Sequence, residues 1–102
     1  MRINSADSDG GTALIIAAYK GHFLIAERLL EARANVNVQE NQHEFTPLIE
    51  AAWKGHKEVA ELLLAYGADT TMKTKDGITA LGRAKMNGHQ EFVRMLEAKV
   101  AP

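Results

Sequence analysis

The chain has 102 residues, a formal net charge of −1 and no cysteine. A charge this close to zero provides no long-range field for nucleic acid or an anionic membrane, so we predict neither as a partner. The missing cysteines exclude a disulfide framework and a thiol nucleophile, and they are compatible with a reducing compartment. The opening residues show no apolar run typical of a secretory signal, and no run reaches membrane-spanning length.

The N-terminal third predicts a loop followed by two short helices. Residues 1–11 are small, polar and glycine-containing, as surface loops are. Thr12 is then predicted as the N-cap of the first helix, and Gly21 as the residue that ends it. The inward positions of the second helix share one helical face; they are Ile25, Ala26, Leu29 and Leu30. Neither helix is long enough to be stable alone in water, so we expect them to pack on each other.

The middle third repeats this plan with clearer signals. Thr46 is predicted as an N-cap and is followed by Pro47, whose missing N–H costs nothing at the first helical position. Gly55 and Gly67 are predicted to end the two helices. The inward positions again recur at helical spacing; they are Ala51, Ala52, Val59, Ala60, Leu63 and Leu64.

The last third completes a tandem repeat. A threonine opens each unit, at steps of 34 and 33 residues: Thr12, Thr46 and Thr79. A fixed period of this size predicts stacked supersecondary units and not one central core. We therefore predict a single domain, residues 1–102, of three repeats, approximately 7–40, 41–73 and 74–102. Lys85 and Glu97 occupy positions that are inward in the second unit, which gives the last unit the polar outer face that a terminal repeat needs.

These motifs resemble the ankyrin repeat over residues 7–102. Thr-Pro/Ala-Leu, Ala-Ala-x-x-Gly-His, a leucine run and Gly-Ala-Asp occur at the family's spacing. The resemblance implies an all-α solenoid of stacked helix pairs with β-turn or hairpin loops projecting at one edge. It also implies a function, because most members bind other proteins on the concave groove through these loops and the first helix of each pair.

Two positions depart from the family pattern. The histidine that usually follows Thr-Pro-Leu is replaced here by Ile15, Ile49 and Gly82. Arg33 stands where the second unit has Gly67, and a residue other than glycine at positive φ costs on the order of 1 kcal/mol.

The first of the two inter-repeat loops is irregular. The loop before Thr46 is one residue longer than the loop before Thr79, and it has His43–Glu44 where the second loop has the Asp76–Gly77 turn signal. We therefore expect the two turns to differ in shape. The difference is either a specificity element or drift in a tolerant surface loop.

The sequence assembles no catalytic or metal site. The histidines His22, His56 and His89 hold one position in successive repeats, and packed helices lie roughly 8–10 Å apart, whereas zinc ligands lie about 2 Å from the ion. We therefore predict no metal site and expect each histidine to support the turn after its glycine. Ser5 and Ser8 are the only serines and lie in the N-terminal segment. We predict a protein that is not an enzyme and needs no cofactor.

Aromatic side chains on the first helix of each unit indicate where a protein partner binds. Tyr19 and Trp53 hold a position that faces the groove in the family, and tryptophan, tyrosine and arginine dominate interface energies. The predicted partner-binding residues are Ile16, Tyr19, Lys20, Phe45, Glu50, Trp53, Lys54, Asp76, Ile78, Arg83, Met86 and Asn87. The charged members that form its predicted polar rim are Lys20, Glu50, Lys54 and Arg83. Two alternatives stay open: Trp53 packs over a neighbouring repeat, or the chain is a structural spacer within a longer array and has no partner of its own.

The N-terminal edge is predicted to be incomplete. Ile3–Asp7 resembles Val36–Glu40, the linker between two units, as if the chain began at the tail of a preceding unit. Ile16, Phe23 and Leu24 are apolar only in the first unit, and covering a large apolar side chain is worth about 1.5–3 kcal/mol. We expect a shortened array, a weak homodimer through this edge, or cover by the N-terminal segment.

Overall fold

The computed structural model describes residues 9–40 and 42–100, and within them it contains helices and no strand. In chain order the helices are α1 Asp9–Lys20, α2 Phe23–Glu31, α3 Pro47–Lys54, α4 Lys57–Ala65, α5 Ala80–Met86 and α6 Gln90–Val100. The predicted all-α class is confirmed. In this part of the chain no helix has both the length and the apolar character needed to cross a membrane.

The helices form three pairs that stack in two layers. Consecutive helices pack as α1–α2, α3–α4 and α5–α6, and neighbouring pairs join through α1–α3 and α3–α5. The helices α1, α3 and α5 make up the inner layer, and α2, α4 and α6 make up the outer layer. The core lies between the layers; its largest fully buried side chains are Leu14, Leu48, Ile49, Val59, Leu63, Phe92 and Leu96. The apolar positions that recur in the repeats therefore build one continuous core.

Threonine side chains cap the second and third inner helices. The Oγ1 of Thr46 accepts a hydrogen bond from the backbone N–H of Ile49 at 3.1 Å, and the Oγ1 of Thr79 accepts one from Gly82 at 3.1 Å. Pro47 lies in the first turn of α3, where no intrahelical bond is lost. The Thr46 cap is as the sequence predicted, and Thr79, its equivalent in the third repeat, forms the same cap.

The first inner helix begins earlier than predicted. It starts at Asp9, so Thr12 lies inside α1 and the predicted loop is wrong for residues 9–11. Gly10 and Gly11 each disfavour a helix by about 1 kcal/mol. The buried apolar turns that follow them outweigh this local preference, because short helices are stabilised mainly by packing. Residues 1–8 of the predicted loop lie outside the described residues.

Two histidines join successive helix pairs. The Nε2 of His56 lies 3.0 Å from the carbonyl oxygen of Tyr19, and the Nε2 of His89 lies 2.8 Å from the carbonyl oxygen of Trp53. A Cβ on Gly21, which has a φ of +73°, would lie 2.7 Å from the Nδ1 of His56. The sequence predicts that each ring supports the turn after its own glycine. For His56 and His89 this is wrong, because each ring packs against the turn of the preceding pair.

Arg33 takes the backbone conformation that glycine has in the second unit. Its φ is 72°, and the φ of Gly67 is 91°. Its N–H donates to the carbonyl of Leu30 at 3.0 Å, so the left-handed residue closes the end of α2. The predicted strain at this position is therefore present.

The two inter-repeat turns close over different lengths. The N–H of Glu40 donates to the carbonyl of Phe45 at 3.0 Å, whereas the N–H of Thr74 donates to the carbonyl of Ile78 at 2.9 Å. Glu44 supplies the left-handed residue of the first turn with a φ of 60°, and a glycine supplies that of the second turn. The two turns therefore differ in shape, as predicted, and the first closes over one more residue than the second.

The N-terminal edge exposes an apolar surface, whose members are Ile16, Phe23, Leu24 and Ile25. Leu24 is 71% exposed and Ile25 is 52% exposed. The predicted inward position of Ile25 is therefore wrong. Its counterparts Val59 and Phe92 are buried, and they lie on helices against which a preceding outer helix packs. The described residues provide no such helix before α2, and Ile3–Asp7 lies outside them.

The opposite edge of the stack is charged. The Nζ of Lys85 lies 3.8 Å from the Oε2 of Glu97, and both side chains are exposed. At these two positions the last repeat has a charged residue where the second repeat has an apolar one, Ala52 and Leu64. The polar outer face that the sequence predicted is formed by this ion pair.

Candidate protein-binding face

The inner helices carry most of the predicted partner-binding residues, in three rows of equivalent positions. The rows are Ile16, Glu50 and Arg83; Tyr19, Trp53 and Met86; and Lys20, Lys54 and Asn87. We call these residues the inner-helix face. Because α1, α3 and α5 pack side by side, members of one row lie on neighbouring helices.

An aromatic cluster lies at the centre of the inner-helix face. The ring of Trp53 meets the ring of Tyr19 with centroids 6.5 Å apart and planes at 82°. It meets Phe45 of the preceding turn with centroids 5.8 Å apart and planes at 86°. These edge-to-face arrangements are favourable aromatic contacts. The alternative that Trp53 packs on a neighbouring repeat is correct in part, yet its side chain stays half-exposed.

Cationic side chains cover the faces of these rings. The Nζ of Lys54 lies 5.1 Å from the centroid of Tyr19. The Cζ of Arg83 lies 4.6 Å from the centroid of Trp53 and 5.9 Å from that of Phe45. Both cations are within the range at which a ring attracts positive charge. The three helix pairs thus each contribute a side chain to one cluster.

Glu50 is buried, which corrects its predicted place in an exposed polar rim. Only 8% of its surface is accessible, and its Oε1 is buried without a hydrogen-bond partner. Burial raises the pKa of Glu50, the charge of Glu40 raises it further and Arg83 lowers it, which leaves a pKa of about 7. Its carboxyl group is therefore part protonated near neutral pH. Single-sequence reasoning missed this because the position is polar in two of the three repeats.

The remaining inner-helix residues divide into exposed side chains and one structural link. Met86 is 63% exposed, and Lys20 is exposed at the end of α1. The Nδ2 of Asn87 donates to the carbonyl of Trp53 at 2.8 Å. Asn87 therefore connects α5 to α3 in addition to facing solvent.

The turns contribute one aromatic residue to the cluster and two residues beside it. Phe45 packs on Trp53 and also on His43, whose ring centroid is 5.5 Å away. Asp76 is exposed and Ile78 is half-buried, and both lie outside the ring and cation contacts of the cluster.

Hydrogen bonds connect the first turn to the second, a link that sequence reasoning did not predict. The N–H of Lys75 donates to the carbonyl of His43 at 2.9 Å. The Nε2 of Gln39 donates to the carbonyl of Lys73 at 3.2 Å. Burial acts to raise the pKa of Glu40, but the backbone N–H groups of His43 and its neighbours hold it below its ordinary value. The first turn is thus fixed from within and from the neighbouring repeat.

The chain matches models of one repeat family across most of its length. A model described as "Ankyrin repeats (3 copies)" matches residues 1–74, and one described as "Ankyrin repeats (many copies)" matches residues 54–97. The chain is 35% identical over 96 residues to "Ankyrin repeat and SAM domain-containing protein 6" of Rattus norvegicus, and 34% identical over 96 residues to the protein of that name from Mus musculus. Each match covers 92% of this chain and 11% of the relative.

Proposed function

Because the chain belongs to the ankyrin-repeat family, we propose that it is a non-catalytic module that binds a protein partner across the inner-helix face and the adjoining turns. Ankyrin repeats generally act as protein–protein interaction modules and are generally non-catalytic. The fold alone does not determine the place of binding, which has to be argued from a site.

The observation that carries this proposal is the cluster around Trp53. Its ring is held by Tyr19, Phe45 and Arg83, which come from all three helix pairs and the first turn. Aromatic and arginine side chains dominate binding energies, and residues already fixed in position lose less entropy on association. The cluster supports a partner seated at the centre of the stack, with Met86 as an exposed apolar neighbour.

Comparative capture from a cell extract tests the place of binding. The wild-type chain is compared with Trp53→Ala and with Tyr66→Ala, which removes an exposed aromatic ring from the end of the outer helix α4. We expect a set of proteins that wild type and Tyr66→Ala retain and Trp53→Ala loses. For a purified member of that set, Trp53→Ala should weaken binding by about 2 kcal/mol, or about 30-fold.

A further variant at an exposed position shows whether a loss of binding in Trp53→Ala comes from misfolding. Met86→Ala removes a side chain that is 63% exposed, so its effect on folding should be small. Met86→Ala should weaken the binding of the same partners by a smaller factor than Trp53→Ala does. If every retained protein binds Trp53→Ala and Met86→Ala as well as wild type, the inner-helix face is not the binding surface.

The N-terminal edge favours a second candidate function, a spacer segment within a longer array. Leu24 and Ile25 are exposed on the edge where Val59 and Phe92 have a preceding helix pair. Stacked repeats bury such faces against a neighbour. In the isolated chain, the same surface supports a weak homodimer that joins two N-terminal edges.

Sedimentation over a wide concentration range tests self-association through this edge. Association costs at least about 4 kcal/mol in lost freedom, so we expect a weak, concentration-dependent dimer. Leu24→Glu should abolish it, while Glu58→Gln, an exposed change on the outer helix of the second pair, should not. A wild-type chain that stays monomeric at every concentration would remove the homodimer from the proposal.

A further inference from the structure

Positive charges outnumber negative charges among the solvent-accessible side chains of the inner-helix face. Lys20 and Lys54 are exposed, and Arg83 is half-exposed, whereas the carboxyl of Glu50 is buried. The protein as a whole has a formal net charge of −1. This face is therefore a local cationic patch on a nearly neutral molecule, and such a patch attracts a partner of negative charge.

The aromatic rings of this face are already occupied by cations of the same chain. Lys54 lies over Tyr19, and Arg83 lies over Trp53. A cationic side chain of a partner would meet two covered rings and three like charges. An anionic side chain would meet cations that the rings hold in place, which reduces the entropy lost on pairing.

Arg83 is half-exposed and therefore partly open to a partner. Its Nε is buried without a hydrogen-bond partner, so a partner would pair with the terminal nitrogens of the guanidinium. Within the described residues, no carboxylate oxygen lies within ion-pair distance of its guanidinium, although Glu50 is close enough to influence it electrostatically. A guanidinium of this kind pairs with a carboxylate through parallel hydrogen bonds.

We propose, on the basis of the protein-binding function argued above, that Arg83 is the anion-binding centre of the inner-helix face and that the partner is a protein segment bearing an acidic side chain there. Lys54 and Lys20 extend this cationic surface along the stack. Trp53 and Phe45 provide the apolar support beneath the ion pair.

Binding of an acidic segment is coupled to protonation of Glu50. The charged groups that act on Glu50 are Glu40 from the preceding turn and Arg83 from α5, while α1 presents the apolar Ile16 at the equivalent position. A carboxylate brought to Arg83 repels the charged form of Glu50 and thus favours its neutral form. Because the pKa of Glu50 is about 7, affinity should fall as the pH rises, by at most about tenfold between about pH 6 and about pH 8.

Selection of peptides on the full chain tests the proposed chemistry. A library of random peptides displayed on phage is selected on the wild-type chain, and the enriched peptides are sorted by whether Trp53→Ala abolishes their binding. Peptides that depend on Trp53 should be acidic. Arg83→Gln should lower the affinity for these peptides about tenfold or more. Lys54→Gln, a change at an exposed position, should lower it less. Circular dichroism establishes that each variant is folded.

The outcomes separate this inference from the function on which it rests. If no enriched peptide depends on Trp53, both the proposed binding face and this inference are overturned. If Trp53-dependent peptides are neutral or basic, or bind Arg83→Gln as well as wild type, only the acidic partner is overturned.

The pH dependence is measured on a synthetic copy of an enriched peptide. Its own Asp and Glu side chains stay ionised between about pH 6 and about pH 8. The affinity of wild type should decline over this range, and that of Glu50→Gln should be flatter. A decline of equal size in Glu50→Gln would overturn the coupling.

Discussion

Replacing Glu50 with glutamine should remove a pH dependence that this buried carboxyl imposes on the stability of the fold. In the folded chain burial raises the pKa of Glu50 from 4.5 to about 7. A carboxyl whose folded-state pKa is raised contributes stability that is fully present below its unfolded pKa and is lost as the pH rises through its folded pKa. The wild-type chain should therefore lose stability between about pH 4.5 and somewhat above pH 7.

The size of this loss follows from the difference between the two pKa values. One pKa unit corresponds to about 1.4 kcal/mol, so the loss at mildly alkaline pH is on the order of 3 kcal/mol. Only 8% of Glu50 is accessible to solvent, which leaves little screening by water. Glutamine has nearly the same shape and no charge to desolvate, so the variant should keep the stability that wild type loses.

Urea unfolding followed by circular dichroism measures this difference. The free energy of unfolding of wild type and Glu50→Gln should converge at about pH 4, below the unfolded pKa, and differ by on the order of 3 kcal/mol at about pH 8, with the variant more stable. The matched control is Glu61→Gln, an exposed glutamate of α4, which should stay within about 0.5 kcal/mol of wild type throughout. Parallel curves for wild type and Glu50→Gln would refute the burial of an uncompensated carboxyl.

Two further predictions concern left-handed residues at helix ends. Gly21→Ala and Gly88→Ala should each lose about 1 kcal/mol of stability because both positions have a φ of +73°. Only Gly21→Ala should lose about 1–3 kcal/mol more, because its Cβ meets the ring of His56. Thermal unfolding compares the two, and equal losses would contradict the packing of His56. Arg33→Gly should raise stability by about 0.5–1 kcal/mol in urea unfolding, since it relieves a φ of 72°; a lower midpoint would count against strain there.

The parts of the fold that the sequence predicted are those decided by local chemistry. A threonine before an apolar run predicts a cap, and Thr46 and Thr79 both form one. The left-handed position that closes a helix is filled either by glycine or by a strained residue, and at the end of α2 it is filled by the strained Arg33. The repeat period adds non-local information, because equivalent positions must have equivalent neighbours. Fold class and stacking order could therefore be predicted together.

The predictions that failed concern residues whose surroundings are set by neighbouring repeats and not by the local sequence. Ile25 has the periodicity of a core position, but burial also needs a preceding helix pair. Glu50 is charged, and charge alone predicts exposure. Its burial depends on the packing of α3 between α1 and α5 and on the nearby turn. The bond from His56 to Tyr19 crosses between repeats and has no local signal apart from the repeat itself.

Amide chemical shifts of the full chain, measured with and without a captured protein ligand, show where the partner binds. The largest changes on binding should occur on the inner helices, at Tyr19, Trp53 and Met86, and in the turn at Phe45. The outer helices should change little. Changes concentrated on α2, α4 and α6, with the Trp53 signals unmoved, would contradict a partner seated on the inner-helix face.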